Sequence, residues 1–202
     1  WMAEIKAAGM RPELVSYNTA IAACANAGDV PQAKAWLRAM AEEGLRPDDI
    51  SYTSVVKACV VAQRMDEAQS LLDDMAKDHK PSVALLNCLI DGYAKAGDPR
   101  MAVSKFREIR NYGLRPDLES FNAVINADVL AGKMDKALEN FAALRRTSLH
   151  PDVVTYSTII KGFALLGDTL TGEEWIKKMR AAGVEPNEVT YAALLGGFVK
   201  TH

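Results

Sequence analysis

Residues 11–48 read RPELVSYNTAIAACANAGDVPQAKAWLRAMAEEGLRPD, and the same pattern returns along the rest of the chain. Prolines recur at gaps of 34 or 35 residues, at Pro12, Pro47, Pro81, Pro116, Pro151 and Pro186. A polar residue follows each of these prolines, and a stretch with helical periodicity follows the polar residue. Equal spacing in this range indicates a solenoid, in which one small structural unit is copied and stacked.

The pattern divides the chain into five complete repeats with an incomplete one at each end. A glycine marks the middle of most units, at Gly28, Gly97, Gly132 and Gly167, and Gln63 takes its place in the second. The complete repeats are 14–48, 49–82, 83–117, 118–152 and 153–187. Residues 1–13 fit the tail of a preceding repeat and residues 188–202 the first half of a following one. We therefore interpret residues 1–202 as a single repeat domain, and we expect it to be a piece of a longer protein.

The first half of each repeat predicts a helix. In residues 14–27, Tyr17, Ile21 and Cys24 recur at i, i+4 and i+7, which places them in one apolar stripe. Gly28 follows as a natural helix end, because glycine adopts the left-handed backbone conformation without strain.

The second half predicts another helix, over residues 30–43 in the first repeat. Asp29 is positioned to cap it and Pro31 suits its first turn. A small residue lies inside this helix in every repeat, at Ala33, Ala68, Ala102, Ala137 and Gly172. Small side chains allow helices to approach closely, so we expect antiparallel helix pairs whose apolar faces are buried by stacking.

Composition limits the classes of function. The chain is 49% apolar and 25% charged, which is ordinary for a folded domain, and it lacks the long apolar run that membrane insertion requires. Its formal net charge of −2 is low for a nucleic-acid binder. Three cysteines without C-x-x-C spacing predict neither disulfides nor a metal site, and we expect no cofactor.

Motifs of catalysis are missing from the sequence. It contains no phosphate-binding loop, no G-x-S-x-G and no H-E-x-x-H, and its three histidines are scattered. We therefore do not expect this chain to be an enzyme.

The repeated pattern resembles the pentatricopeptide repeat family. It reads V-x-T/S-Y-N-x-x-I, then A-G-D/K, a small residue and M-x-x-x-G-L/V-x-P-D, and the clearest copies are VSYNTAIAACANAGDVPQAKAWLRAMAEEGLRPD and VVTYSTIIKGFALLGD with WIKKMRAAGVEPN. The tetratricopeptide family differs by its W-x2-L-G-x2-Y opening, which we do not find. The resemblance implies an all-α fold, a right-handed α-solenoid superhelix of antiparallel helix-turn-helix repeats of about 35 residues.

The resemblance also implies single-stranded RNA as the ligand, with one nucleotide read by each repeat. In the family the reading residues occupy the fifth and last positions, here Asn18 with Asp48, Thr53 with Ser82, Asn87 with Asp117, Asn122 with Asp152, and Ser157 with Asn187. Apolar wedges at the second position would be Val15, Ile50 and Val154. The implied target is roughly 5′-U-purine-U-U-A-3′. An amide suits this task because it offers both a donor and an acceptor. The alternative is that Asn18, Asn87 and Asn122 only cap helices.

The sequence departs from the family pattern in three places. The wedge position holds Ala84 in the third repeat and Glu119 in the fourth, and Ala192 at the last reading position is unable to bond a base. The balance of charged residues on the first helices also disfavours an RNA ligand, since affinity for RNA depends heavily on neutralising phosphates. Their cations are Lys57, Lys95, Lys161 and Lys200, and their anions are Asp49, Asp91, Glu119, Asp128 and Glu188.

Two functions follow from these observations. The resemblance favours a sequence-preferring RNA-binding protein in a mitochondrion or chloroplast, where it would act in RNA stability, processing, splicing or translation. The departures favour a structural scaffold that contacts protein subunits of a large organellar assembly, such as a ribosome or a membrane complex.

Overall fold

A computed structural model describes Glu4, Gly9 and residues 11–198, except for the side chains of Asp78, Gly197 and Phe198. Within these residues the chain forms eleven α-helices and no β-strand. They are α1 (Leu14–Ala27), α2 (Val30–Glu42), α3 (Asp49–Val61), α4 (Met65–Asp78), α5 (Val83–Lys95), α6 (Pro99–Asn111), α7 (Leu118–Leu130), α8 (Met134–Arg145), α9 (Val153–Leu165), α10 (Thr169–Ala181) and α11 (Glu188–Phe198). Most of the tail predicted for residues 1–13 lies outside the described residues.

Each complete repeat is one pair of helices, so the all-α prediction is confirmed. The predicted bounds of α1 are also confirmed, and Gly28 ends the helix with a φ of 67°. Asp29 caps α2 as expected, its side chain accepting a hydrogen bond from the backbone N–H of Gln32 at 3.1 Å. The second helix ends at Glu42, one residue earlier than predicted, because the chain turns towards Gly44, whose φ is 77°.

The residue that ends most first helices adopts a left-handed backbone conformation. Gly97, Gly132 and Gly167 have φ values of 77°, 69° and 78°. Gln63 occupies the equivalent place in the second repeat with a φ of 58°. A side chain with a Cβ is strained in this conformation, so the turn after α3 carries a local cost that the other turns avoid.

The chain divides into two compact units, residues 1–92 and residues 93–202. In the first unit, α1 packs on α2 and α3, α2 also contacts α3, and α3 packs on α4. In the second unit, α7 and α9 make the same contacts, each with its own second helix and with the next first helix. Within the units, α1, α7 and α9 are therefore each covered by their own repeat and by the next one, which is how stacking buries the apolar stripes.

The cores of both units contain aromatic rings that pack edge to face. In the first unit Tyr17 packs edge-on against Trp36, with ring centroids 6.1 Å apart. In the second unit Phe141 packs edge-on against Trp175, with ring centroids 5.0 Å apart, in a cluster with buried isoleucines. Such edge-to-face pairs add to the stability that apolar burial provides.

The small residues of the second helices lie at tight helix contacts, as the sequence predicts. Ala33, Ala68, Ala102 and Ala137 have no exposed surface. At Gly172 a Cβ would lie 2.7 Å from Cδ1 of Leu194, so a side chain there would require Leu194 to shift. Cys59 is buried in the same core and none of the cysteines forms a disulfide. None of the described helices has the length and hydropathy of a membrane span.

Candidate functional site

The reading pair of the first repeat forms a hydrogen-bonded ring with a third residue. Asn18 lies one turn inside α1, and its Nδ2 donates to the two carboxylate oxygens of Asp48, at 3.2 and 3.4 Å. The hydroxyl of Ser51 donates to Oδ1 of Asn18 at 2.6 Å. Both ends of the amide are therefore held, and Asn18 as a whole is only half-buried.

Asp48 has a second role as the N-cap of α3. It accepts a hydrogen bond from the backbone N–H of Ser51 at 2.9 Å, and the Ser51 hydroxyl completes a capping box. Burial raises the pKa of Asp48, but the hydrogen bonds from Ser51 and Asn18 outweigh that effect and lower it below its usual value. The ring therefore contains a charged carboxylate at neutral pH.

The fourth repeat contains the same ring. Asn122 donates to Oδ1 of Asp152 at 3.2 Å, and the hydroxyl of Thr155 donates to Oδ1 of Asn122 at 2.6 Å. Asp152 caps α9 by accepting from the backbone N–H of Thr155 at 2.9 Å. The arrangement thus recurs in both units with almost unchanged distances, which a chance surface contact would not do.

The interpretation of the asparagines as helix caps is wrong. Asp48, Asp117 and Asp152 are the capping residues, since each accepts the backbone N–H three residues later. Asn18 and Asn122 lie inside their helices and are bonded to the aspartate of the next cap. The capping aspartate and the reading asparagine therefore belong to one hydrogen-bonded group.

The fifth repeat uses hydroxyl groups in place of the amide. Ser157 lies 2.8 Å from the hydroxyl of Thr190, and Thr190 in turn donates to Oδ1 of Asn187 at 3.2 Å. Asn187 caps α11 by accepting from the backbone N–H of Thr190 at 3.1 Å. The predicted pair, Ser157 and Asn187, is therefore connected through Thr190.

A cleft of about 260 Å³ lies beside this fifth pair. Two wedge-position valines, Val154 and Val189, line it together with Ser157 and Asn187, and Lys161 adds a positive charge. The cleft therefore combines apolar walls, a hydrogen-bonding pair and a cation.

The reading position of the second repeat differs. Oγ1 of Thr53 is buried and has no hydrogen-bond partner among the described residues. Ser82 caps α5 by accepting from the backbone N–H of Leu85 at 3.1 Å. Thr53 and Ser82 are therefore not joined by a hydrogen bond as the pairs of the first and fourth repeats are.

A residue that reads a base has to be open to it, yet two of the predicted reading residues are buried. Asn87 is only 2% exposed and Ser157 only 6%. Asn87 belongs to the first unit and Asp117, which caps α7, to the second. The RNA-reading role of Asn87 with Asp117 remains a prediction.

The wedge positions are on the surface, as an intercalating role requires. The apolar side chains there are between 55% and 71% exposed at Val15, Ile50, Val154 and Val189. Ala84 and Glu119 are exposed at the same position. Exposed aliphatic side chains at one repeated position form an apolar row along each unit.

The structure changes the charge balance that the sequence gives for the first helices. Asp128 is 3% exposed and bonded to Asn140, so it is not part of the surface charge. Asp49 accepts from the backbone N–H of Ser82 at 3.3 Å. Lys57 and Lys161 are exposed, while Lys200 lies outside the described residues.

A second cleft lies on the opposite set of helices in the second unit. It has a volume of about 610 Å³ between α6 and α8, and Arg100, Arg107, Arg110 and Lys133 line it. None of these four forms an ion pair within the part of the chain that the structure describes. In the same part, no group of His, Cys, Asp and Glu side chains could hold a metal ion.

Family models match most of the chain. One described as pentatricopeptide repeat-containing protein matches residues 2–109, more than half of the sequence. One described as PPR repeat family matches residues 118–164, and one described as PPR repeat matches residues 154–184. A search of curated proteins gave no significant match.

Solved structures share the fold. The pentatricopeptide repeat protein PPR10 from maize is 28% identical, with a TM-score of 0.68 over 96% of this chain and 28% of that one. PPR10 in complex with an 18-nt psaJ RNA element is 24% identical, with the same TM-score over 97% of this chain and 34% of that one. The PPR domain of Arabidopsis thaliana protein-only RNase P 1 in complex with tRNA is 16% identical, with a TM-score of 0.67 over 89% and 95%.

The solved structures differ in how much of their own length this chain matches. This chain spans about a third of PPR10, whereas it covers nearly all of the RNase P repeat domain. The helix pairs, their period and the family models all agree. The chain therefore belongs to the pentatricopeptide repeat family.

Proposed function

We propose that the protein binds single-stranded RNA along the first helices of its repeats, one nucleotide per repeat. The observation that carries the proposal is the cleft of the fifth repeat, where Val154 and Val189 flank the pair of Ser157 and Asn187. Apolar side chains on both faces and a polar pair at one edge are what an unstacked base requires.

The other repeats support the same binding mode. Asn18 and Asn122 present amides held in one orientation, and the exposed Val15 and Ile50 supply apolar surface beside them. An oriented amide suits recognition of a base edge because it loses little rotamer freedom on binding. Lys161 at the cleft is placed to neutralise a phosphate.

The preferred sequence follows from the reading pairs and the family resemblance. The pairs of the first, third and fourth repeats favour uracil, the second favours a purine and the fifth favours adenine, which gives 5′-U-purine-U-U-A-3′. The role extends to the stability, processing, splicing or translation of transcripts in a mitochondrion or chloroplast. The family resemblance supports this setting, and its PPR10 member has been solved with an RNA element.

The test is binding of a labelled oligonucleotide, 5′-UAUUA-3′, measured by fluorescence anisotropy at low and moderate salt. We expect binding that weakens steeply with salt, because phosphate contacts release counterions. Asn18→Ala should weaken binding about tenfold, since it removes one oriented hydrogen-bonding group. Asn111→Ala, at the exposed end of α6, is the matched control and should have no effect. Absence of binding by the parent protein would overturn the proposal.

A protein-binding scaffold is the second candidate. The cleft between α6 and α8 favours it, because its cations Arg100, Arg107, Arg110 and Lys133 are free of ion pairs within the described residues and suit an acidic protein surface, while its fifth cation, Lys136, is paired with Glu139. Glu119 at a wedge position would also repel phosphate. Under this alternative the oligonucleotide does not bind, and crosslinking in a native extract recovers protein instead of RNA.

A further inference from the structure

We infer that the hydroxyl group at the third position of each following repeat determines which base the preceding reading pair accepts. These hydroxyl groups belong to Ser51, Thr155 and Thr190, and the inference rests on the proposed RNA binding. All three residues have no exposed surface, so water is unable to replace their hydroxyl groups in the folded protein. They act as positioning residues, because they bond the reading side chains and do not face the ligand.

In the first repeat the hydroxyl fixes the direction of the amide. The carboxylate of Asp48 only accepts hydrogen bonds, so the atom of Asn18 that faces it at 3.2 Å has to be Nδ2. Oδ1 of Asn18 then faces the Ser51 hydroxyl at 2.6 Å. The Ser51 hydroxyl also lies 2.8 Å from Oδ1 of Asp48, and its shorter contact is the one with the amide. Turning the amide over would set its oxygen against the carboxylate of Asp48 and would force the Ser51 hydroxyl to turn its proton from the amide to Oδ1 of Asp48.

A fixed amide distinguishes uracil from cytosine. The Asn18 amide has one N–H and one carbonyl lone pair left for a base. When the amide is held, the N–H always lies on one side and the lone pair on the other. Uracil presents the O4 acceptor beside the N3–H donor, whereas cytosine presents the N4 donor beside the N3 acceptor, which is the reverse order. An amide that is free to turn matches both bases, and one that is held matches only one of them. Base selectivity at Asn18 therefore depends on Ser51 as well as on Asp48.

The fourth repeat provides an independent copy of this arrangement. Thr155 donates to Asn122 at the same 2.6 Å, and Asn122 donates to Asp152 at the same 3.2 Å. Serine and threonine therefore serve equally, and the hydroxyl is the shared feature.

In the fifth repeat the Thr190 hydroxyl joins the two reading residues. It donates to Oδ1 of Asn187 at 3.2 Å and lies 2.8 Å from the hydroxyl of Ser157, where either hydroxyl is able to donate. Oδ1 of Asn187 also accepts from the backbone N–H of Thr190 at 3.1 Å, so the side-chain N–H groups of Asn187 are left for the ligand. N–H donors match the N1 acceptor of adenine and oppose the N1–H donor of guanine.

The second repeat lacks the hydroxyl at this position. Leu85 occupies the third position after Ser82, and Oγ1 of Thr53 is buried without a partner among the described residues. Nothing there fixes whether Thr53 donates or accepts. This repeat should therefore discriminate least between bases.

The experiment compares ratios of dissociation constants at single positions. The probes are 5′-UAUUA-3′, 5′-CAUUA-3′ and 5′-UAUCA-3′, and the variants are Ser51→Ala, Ser51→Thr, Thr155→Val and Thr155→Ser. The parent protein should prefer uracil about tenfold at the first and fourth positions. Ser51→Ala should lose that preference at the first position only, and Thr155→Val at the fourth only. The two conservative variants should keep both preferences.

The experiment distinguishes failure of this inference from failure of the proposed RNA binding and from loss of folding. Asp29→Ala removes a helix cap without touching a reading pair and should leave both ratios unchanged. The untouched position of each variant reports whether the solenoid remains folded. Unchanged ratios in both Ser51→Ala and Thr155→Val would overturn the inference alone, whereas a parent protein that binds none of the probes would overturn the proposed function.

Discussion

Asp128 of α7 accepts a hydrogen bond from Nδ2 of Asn140 in α8 at 2.8 Å, and its side chain lies in the core of the second unit. Burial raises the pKa of Asp128, and the bond from Asn140 and the charges of Lys133 and Lys136 only partly offset this. A carboxyl group with a raised pKa in the folded state stabilises the fold when it is protonated. That contribution is full below the unfolded pKa and is lost as pH rises through the folded pKa. At neutral pH the buried charge therefore costs stability.

We expect Asp128→Asn to raise the melting temperature at pH 7, because it removes the charge and keeps an oxygen for Asn140. The gain should shrink as the pH falls towards the range where the native carboxyl group is protonated. Thermal melts of both proteins across this pH range check the prediction. Asp135→Asn, at an exposed position of α8, is the control and should change little. A less stable Asp128→Asn at pH 7 would mean that the neighbouring cations outweigh burial.

Gln63 occupies the turn position that glycine occupies in the other repeats. Its φ of 58° is the conformation in which a Cβ is strained, and four other repeats have glycine there. We expect Gln63→Gly to stabilise the first unit by about 1 kcal/mol. Ala62→Gly, at the preceding residue with a φ of −80°, should instead be neutral or destabilising, because that conformation suits alanine. Chemical denaturation of the three proteins measures both differences.

Ala33 has no exposed surface at the contact of α2 with its neighbours. Ala33→Leu forces extra methyl groups into a filled space and should destabilise the protein by about 1–3 kcal/mol. Ala35→Leu, two residues along the same helix and exposed, adds the same atoms to the surface and should change stability little. Equal effects of the two variants in denaturation would show that the helices tolerate a larger spacing.

The features that the sequence predicts well are those that depend on residues close together in the chain. The end of α1 at Gly28 and the cap of α2 at Asp29 each follow from a few adjacent residues. The ring of Asn18, Asp48 and Ser51 joins residues 30 and 33 positions apart, so it exists only once two repeats are stacked. The D-x-x-S/T spacing of the cap was visible in the sequence, and the family resemblance paired Asn18 with Asp48, but the contact of Ser51 with Asn18 was not visible.

Helical periodicity also did not predict which polar side chains are buried. The count of surface charges included Asp128, which turns out to lie inside the second unit because Asn140 offers it a partner there. The reading role predicted for Asn87 requires an open side chain, yet Asn87 is only 2% exposed. Both depend on how helices pack against one another, which is set by side-chain volumes across the contact and not by the pattern within one helix.

Lys161 is the cation of the fifth-repeat cleft, and it forms no ion pair within the described part of the chain. If it neutralises one phosphate, Lys161→Ala should weaken RNA binding and reduce the slope of log K against log salt by about 0.7, the value for one contact to a single strand. Lys177→Ala removes the same charge from the exposed face of α10 and is the matched control. Its slope should equal that of the parent protein, because α10 is a second helix and does not line the cleft. Titrations of 5′-UAUUA-3′ at several salt concentrations give the three slopes, and an identical loss in both variants would mean that Lys161 acts only through net charge.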